Sequence, residues 1–89
     1  MNLQRGSVVC SRAGHDKGSF FAVISMHDGF AFVADGKGRT AEKPKKKNVL
    51  HLACTATILS DEILNDDSKI RQALKAFNSR RTQGGNLIV

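Results

Sequence analysis

The chain is 89 residues long and carries 14 Lys and Arg against 8 Asp and Glu, a net charge of +6. That length suits one domain with a modest core, and no apolar run is long enough to cross a membrane. So large a positive surplus on so small a domain points to an anionic partner, nucleic acid first and an anionic membrane surface second.

The N-terminal stretch MNLQRGS has no charged region followed by an apolar one. No secretory signal is read there, and the expected compartment is the cytosol. The first strand is expected at residues 7–12, where Val8, Val9 and Cys10 favour extended structure or pack as small residues. A glycine-flanked turn follows, Gly14-His15-Asp16-Lys17-Gly18. Glycine accepts a positive φ without a Cβ penalty, which a tight strand connection requires. The turn is expected to present His15, Asp16 and Lys17 outward, with Arg12 just before it. A phosphate-binding P-loop would need GxxxxGK and then Ser or Thr, between a strand and a helix. Here Lys17-Gly18-Ser19 runs into the strand-like FFAVI, so nucleotide hydrolysis is not expected.

The second strand is expected at residues 19–26. It is apolar on both faces, with Phe20, Ala22, Ile24 and Met26 on one and Phe21 and Val23 on the other. That suits a long, bent strand feeding a core from two directions. Asp28-Gly29, between two apolar runs, is a strong signal for a two-residue hairpin. A third strand at residues 30–34 follows it. The stretch 37–47, KGRTAEKPKKK, reads as a loop. It holds Lys37, Arg39, Lys43, Lys45, Lys46 and Lys47 against Glu42, a local charge of +5. A fourth strand is expected at residues 48–54. Short strands this close together suggest a small barrel, which removes exposed sheet edges.

The remainder reads as helix. Asp66, Asp67 and Ser68 can cap an N-terminus, and Ile70, Leu74 and Phe77 fall on one apolar stripe. Lys75, Arg80 and Arg81 sit where the helix dipole favours cations, and Gly84-Gly85 marks a loose end. The expected organisation is a barrel over 1–56, an acidic linker or helix start over 57–66, a helix over 67–78 and a flexible basic tail over 79–89.

Catalytic and metal signals are weak. Cys10, Cys54, His15, His27 and His51 have no zinc-ligand spacing, and the two cysteines are expected as reduced thiols in the core. Asp61-Glu62 and Asp66-Asp67 lie where helix starts favour negative charge, so they are read as caps. No Ser/His/Asp or Cys/His arrangement is present, and the expectation is a monomeric non-enzyme with no cofactor and no metal. With no Trp or Tyr, base stacking has little to work with, so structured RNA fits better than an unpaired strand.

Residues 5–36, RGSVVCSRAGHDKGSFFAVISMHDGFAFVADG, resemble a KOW motif. The order of initial glycine, G-x-D-K-G turn, hairpin and terminal D-G is similar to that of the large-subunit ribosomal proteins numbered fourteen and twenty-seven in archaea and eukaryotes. Short stand-alone bacterial KOW proteins continue in the same way, with EKPKKKN, a His-Leu pair and a final helix, matched here by residues 42–48, His51-Leu52 and 69–77. The resemblance implies an SH3-like β-barrel that binds RNA, often ribosomal RNA, and acts with the ribosome and its proteins in translation. Carried over by position, Gly18 matches the motif's characteristic glycine, and Arg12, Gly14 and Lys17 match its RNA-facing first loop. Ser19 stands where a basic residue is common, which shifts the expected phosphate contacts toward the lysine-rich loop. The expected RNA-binding set is Arg12, Gly14, His15, Lys17, Gly18, Lys37, Arg39, Lys43, Lys45, Lys46 and Lys47, with Arg71 and Lys75 facing water in a lesser role. A peptide-binding module of the same fold, or a DNA- or transcription-linked KOW domain, are the alternatives.

Overall fold

The computed structural model describes residues 3–87, with side chains as far as Asn78. Its strands are β1 (Ser7–Ser11), β2 (Phe20–His27), β3 (Phe30–Ala34), β4 (Lys45–Asn48) and β5 (Leu52–Ile58). They form one antiparallel sheet in the order β4-β3-β2-β1-β5. Two helices follow, α1 (Asp61–Leu64) and α2 (Asp67–Leu87). The protein is thus mostly β with a C-terminal helix.

The two-faced sequence of β2 organises the core. Val9 pairs with Phe21, and Val8 with Ala22, so neighbouring residues of β1 and β2 share alternate faces of the sheet. One face collects Val9, Phe21, Val23, Ala31, Val33 and Leu52. The other packs Val8 and Ala22 against Leu59, Leu64, Ile70 and Leu74 from the helical segment. The core is therefore fed from two directions, as the sequence implies. A register shift between Val23 and Ser25 breaks the β2–β3 ladder. Such a bulge bends a strand and increases its twist. Beyond it β2 leaves the core, and Met26, expected inside, is exposed.

The hairpin forms at the expected place. His27 pairs with Phe30, and the two residues between them have positive φ, 47° at Asp28 and 80° at Gly29. The stripe on α2 also forms: Ile70 and Leu74 are buried, and the Phe77 ring lies 5.3 Å from Phe20. Burying a side chain of that size contributes roughly 1.5–3 kcal/mol, enough for the stripe to seat the helix on the sheet. The start of α2 is fastened by its two acids in different ways. Asp66 caps it, accepting from the Ser68 amide at 2.9 Å, whereas Asp67 reaches across to the segment before β4 and accepts from the Ala41 amide at 2.8 Å.

Five expectations are revised. The lysine run is no loop but β4, paired residue for residue with β3 from Phe30↔Asn48 to Val33↔Lys45. The expected fourth strand is split, because the Asn48 side chain caps a 3-10 turn, Val49–His51, that separates β4 from β5. β5 itself runs on to Ile58, into the segment read as a linker. The sheet is not closed: β4 and β5 are its two edges and do not pair with each other. Finally, α2 continues to Leu87, past the expected end at 78 and through Gly84-Gly85. The side chains of Arg80 and Arg81 lie outside the described residues. Among the described residues no helix is long and apolar enough to cross a membrane.

Candidate nucleic-acid interface

The β1–β2 loop is held by its own backbone. The amides of Gly18 and Ser19 donate to Ser11 O at 2.8 Å and Asp16 O at 2.9 Å, and that of Arg12 donates to His51 O at 2.8 Å. Gly14 and Gly18 take φ of 84° and 90°, a region that disfavours any side chain. Gly18→Val places a β-branched residue there and should destabilise the protein by at least about 1 kcal/mol. An unchanged melting temperature would count against this loop geometry.

Asp16 does not face outward as the sequence suggested. Its carboxylate is turned in, where it accepts from Ser11 Oγ, Lys45 Nζ and Lys47 Nζ, each at 2.9 Å. Lys47 Nζ also donates to Ala13 O at 3.2 Å. The Asp16 side chain is 16% exposed, that of Lys47 9% and that of Lys45 32%, so this is a largely desolvated cluster. Burial works to raise the Asp16 pKa, but the hydrogen bonds from Lys47, Lys45 and Ser11 outweigh it and hold the carboxyl well below the usual range.

The alternation of a strand explains which lysines are engaged. Residues 45 and 47 project to the same face of β4 and reach Asp16. Lys46 projects to the other face, where its ammonium lies 4.3 Å from the centre of the Phe30 ring. The triple lysine therefore supplies two structural cations and one exposed one, not three free ones.

The remaining cations surround this cluster on two loops. Arg12, His15 and Lys17 are exposed on the β1–β2 loop. Lys37, Arg39 and Lys43 are exposed on the β3–β4 loop. Asp35 shapes that second loop by accepting from the Lys37 and Arg39 amides at 2.9 and 3.0 Å. The two loops are brought together through Asp16, because Lys45 and Lys47 follow the second loop directly. Among the described residues, Arg12, Lys17, Lys37, Arg39 and Lys43 make no ion pair.

Two features escaped the sequence reading. One is the inward role of Asp16, whose only local signal is a lone acid in a cationic turn. The other is the position of Arg71, which donates to Gly36 O at 2.9 Å and so lies against the β3–β4 loop rather than simply facing water. Among the described residues no three His, Cys, Asp or Glu side chains come together to hold a metal. Cys10 and Cys54 are free, on adjacent strands but opposite faces of the sheet. No protein-family model and no curated protein matches the chain.

Proposed function

We propose that this protein binds structured RNA, through its phosphate backbone, with the exposed cations of the β1–β2 and β3–β4 loops. The observation that carries the reading is the set Arg12, Lys17, Lys37, Arg39 and Lys43: cations on two loops joined by a largely desolvated ion cluster, none of which forms an ion pair among the described residues. Cations without ion-pair partners on hydrogen-bonded loops match a phosphate backbone, and such contacts position a protein without reading sequence. The five-stranded antiparallel order and the bulge in β2 support an SH3-like barrel of KOW type left open between β4 and β5, as does the KOW resemblance of residues 5–36. On this reading the protein is a cytosolic, ribosome-associated binding protein, not an enzyme. Lys47 and Lys45 serve the fold more than the RNA, and the free loop cations take over the role assigned to the triple lysine.

The test is a titration on one structured RNA at several salt concentrations. Four to six neutralised phosphates would give a slope of log K against log salt of roughly −3 to −5. Neutralising Arg12, Lys17, Arg39 and Lys43 together should weaken binding at least about tenfold and flatten that slope by nearly one unit for each phosphate left without its cation. A salt-independent response, or equal affinity of the neutralised protein, would refute the reading. Sedimentation of a lysate then decides ribosome association by where the protein runs.

A further inference from the structure

A cleft of about 910 Å³ lies between the start of the β3–β4 loop, the start of β2 and α2. Lys37 stands on its loop side, Arg71 and Lys75 stand on its helix side, and Phe20 and Leu74 contribute an apolar lining. We propose that this cleft is a second RNA-contact surface, which takes a phosphodiester segment of the RNA held by the loops. The inference rests on the RNA-binding reading and extends it from the loops onto the helix.

Charge complementarity carries the proposal. Among the described residues none of Lys37, Arg71 and Lys75 forms an ion pair. The acids nearby are directed elsewhere. Asp35, which also lines the cleft, binds the Lys37 and Arg39 amides through Oδ1. Asp66 and Asp67 bind the amides of Ser68 and Ala41. Three cations thus face the cleft with one carboxylate whose hydrogen-bonding oxygen is committed to backbone.

The arrangement is also preorganised. Arg71 is fixed by Gly36 O at 2.9 Å and Ser68 Oγ at 3.3 Å, so its planar fork is aimed before a ligand arrives. Lys75 lies one turn further along the same face of the helix, a rise of roughly 6 Å. A row of cations at that pitch suits successive phosphates of one strand. The partly exposed Phe20 ring suits the sugar side of the same strand. Ser19 also lines the cleft, immediately after Lys17 and Gly18, so the cleft is continuous with the loop surface. The volume falls in the range of sites that hold small ligands, roughly 300–1,000 Å³, which is room for a nucleotide-sized segment.

The test separates this surface from the loops. Gln72→Glu with Lys75→Glu places negative charge on the helix side of the cleft, at two exposed positions where glutamate is a good helix former. Arg12→Gln with Lys17→Gln neutralises the first loop alone. Each variant is first checked for an unaltered melting temperature and then titrated on one RNA hairpin at two salt concentrations. The cleft variant is expected to bind at least about tenfold more weakly than the unaltered protein and with a flatter salt slope. If the loop variant weakens and the cleft variant does not, the cleft proposal is overturned while the RNA reading stands. If the unaltered protein shows no salt-sensitive RNA affinity, the RNA reading itself fails and this extension fails with it. A third arm uses NMR titration of a nucleoside monophosphate. Saturation of Arg71 and Lys75 by the free nucleotide, with RNA affinity unaffected by it, would assign the cleft to a free phosphate ligand and overturn the proposal.

Discussion

Replacing Asp16 with alanine should lower the stability of the fold by about 3 kcal/mol, the usual range for removing one partner of a buried ion pair being roughly 3–5. The low end applies because Lys45 is 32% exposed and recovers part of its hydration. Lys47 cannot, with a side chain only 9% exposed, and it is left with Ala13 O as its acceptor. Ser11 Oγ, on a residue that is 1% exposed, loses one of its two acceptors. For a domain of this size each kcal/mol moves the melting temperature by roughly 4–8 °C, so a fall of more than about 10 °C is expected. Lys46→Ala is the control, since it removes only an exposed cation above Phe30 and should change stability by less than about 1 kcal/mol.

The same carboxylate gives a pH dependence with a definite sign. Its pKa is depressed in the folded protein below the unfolded value, which is about 4. A group of that kind contributes its full stability above the unfolded pKa and loses it as pH falls toward the folded one. Thermal melts from pH 7 downward should therefore show a loss below about pH 4 that is present in the native protein and absent from Asp16→Asn. Parallel acid profiles for the two proteins, or an Asp16→Ala protein that melts with the native one, would show that the cluster contributes nothing.

Local chemistry made much of the fold legible. Asp28-Gly29 specified its hairpin because a two-residue turn needs positive φ at both positions, and the structure has 47° and 80° there. The double apolar pattern of β2 and the Ile70-Leu74-Phe77 stripe were likewise readable, since burial on two faces of a strand or one face of a helix leaves its period in the sequence. The lysine strand left no such mark. Its composition is that of a loop, and it is extended because β3 offers it a ladder and Asp16 neutralises alternate residues. Asp16 lies 29 residues from Lys45 and 31 from Lys47, a pairing no local pattern announces. The cleft was hidden for the same reason. Arg71 and Gly36 are 35 residues apart, and only the packing of α2 brings them together.

Gly36→Ala should be as damaging as the loss of Asp16, at about 3 kcal/mol, and for a reason that a comparison glycine can isolate. Gly36 and Gly29 both adopt φ of 80°, so an alanine at either position carries the same left-handed strain, roughly 1–2 kcal/mol. Around Gly29 a Cβ would meet nothing within 4 Å. Around Gly36 it would collide with the carbonyl oxygen of Asp67 and lie 2.9 Å from the Arg71 amide nitrogen and 3.1 Å from Arg71 Cβ. The first two are backbone atoms in the first turns of α2, which cannot swing aside as a flexible side chain would. Relief requires the helix start to move off the sheet, and overpacking of this kind costs about 1–3 kcal/mol beyond the strain. The movement would pull Ile70 away from the cluster with Val8 and Leu64, and would break the bond from Arg71 to Gly36 O that shapes the cleft. Gly29→Ala carries the strain alone, so it should lower the melting temperature by about half as much as Gly36→Ala and leave RNA affinity unchanged. Gly36→Ala should lower it by more than about 10 °C, speed amide exchange in the first turns of α2, and weaken RNA binding at temperatures where the protein is still folded. Equal melting temperatures for the two variants would mean that the close approach of Gly36 to α2 does not constrain the fold.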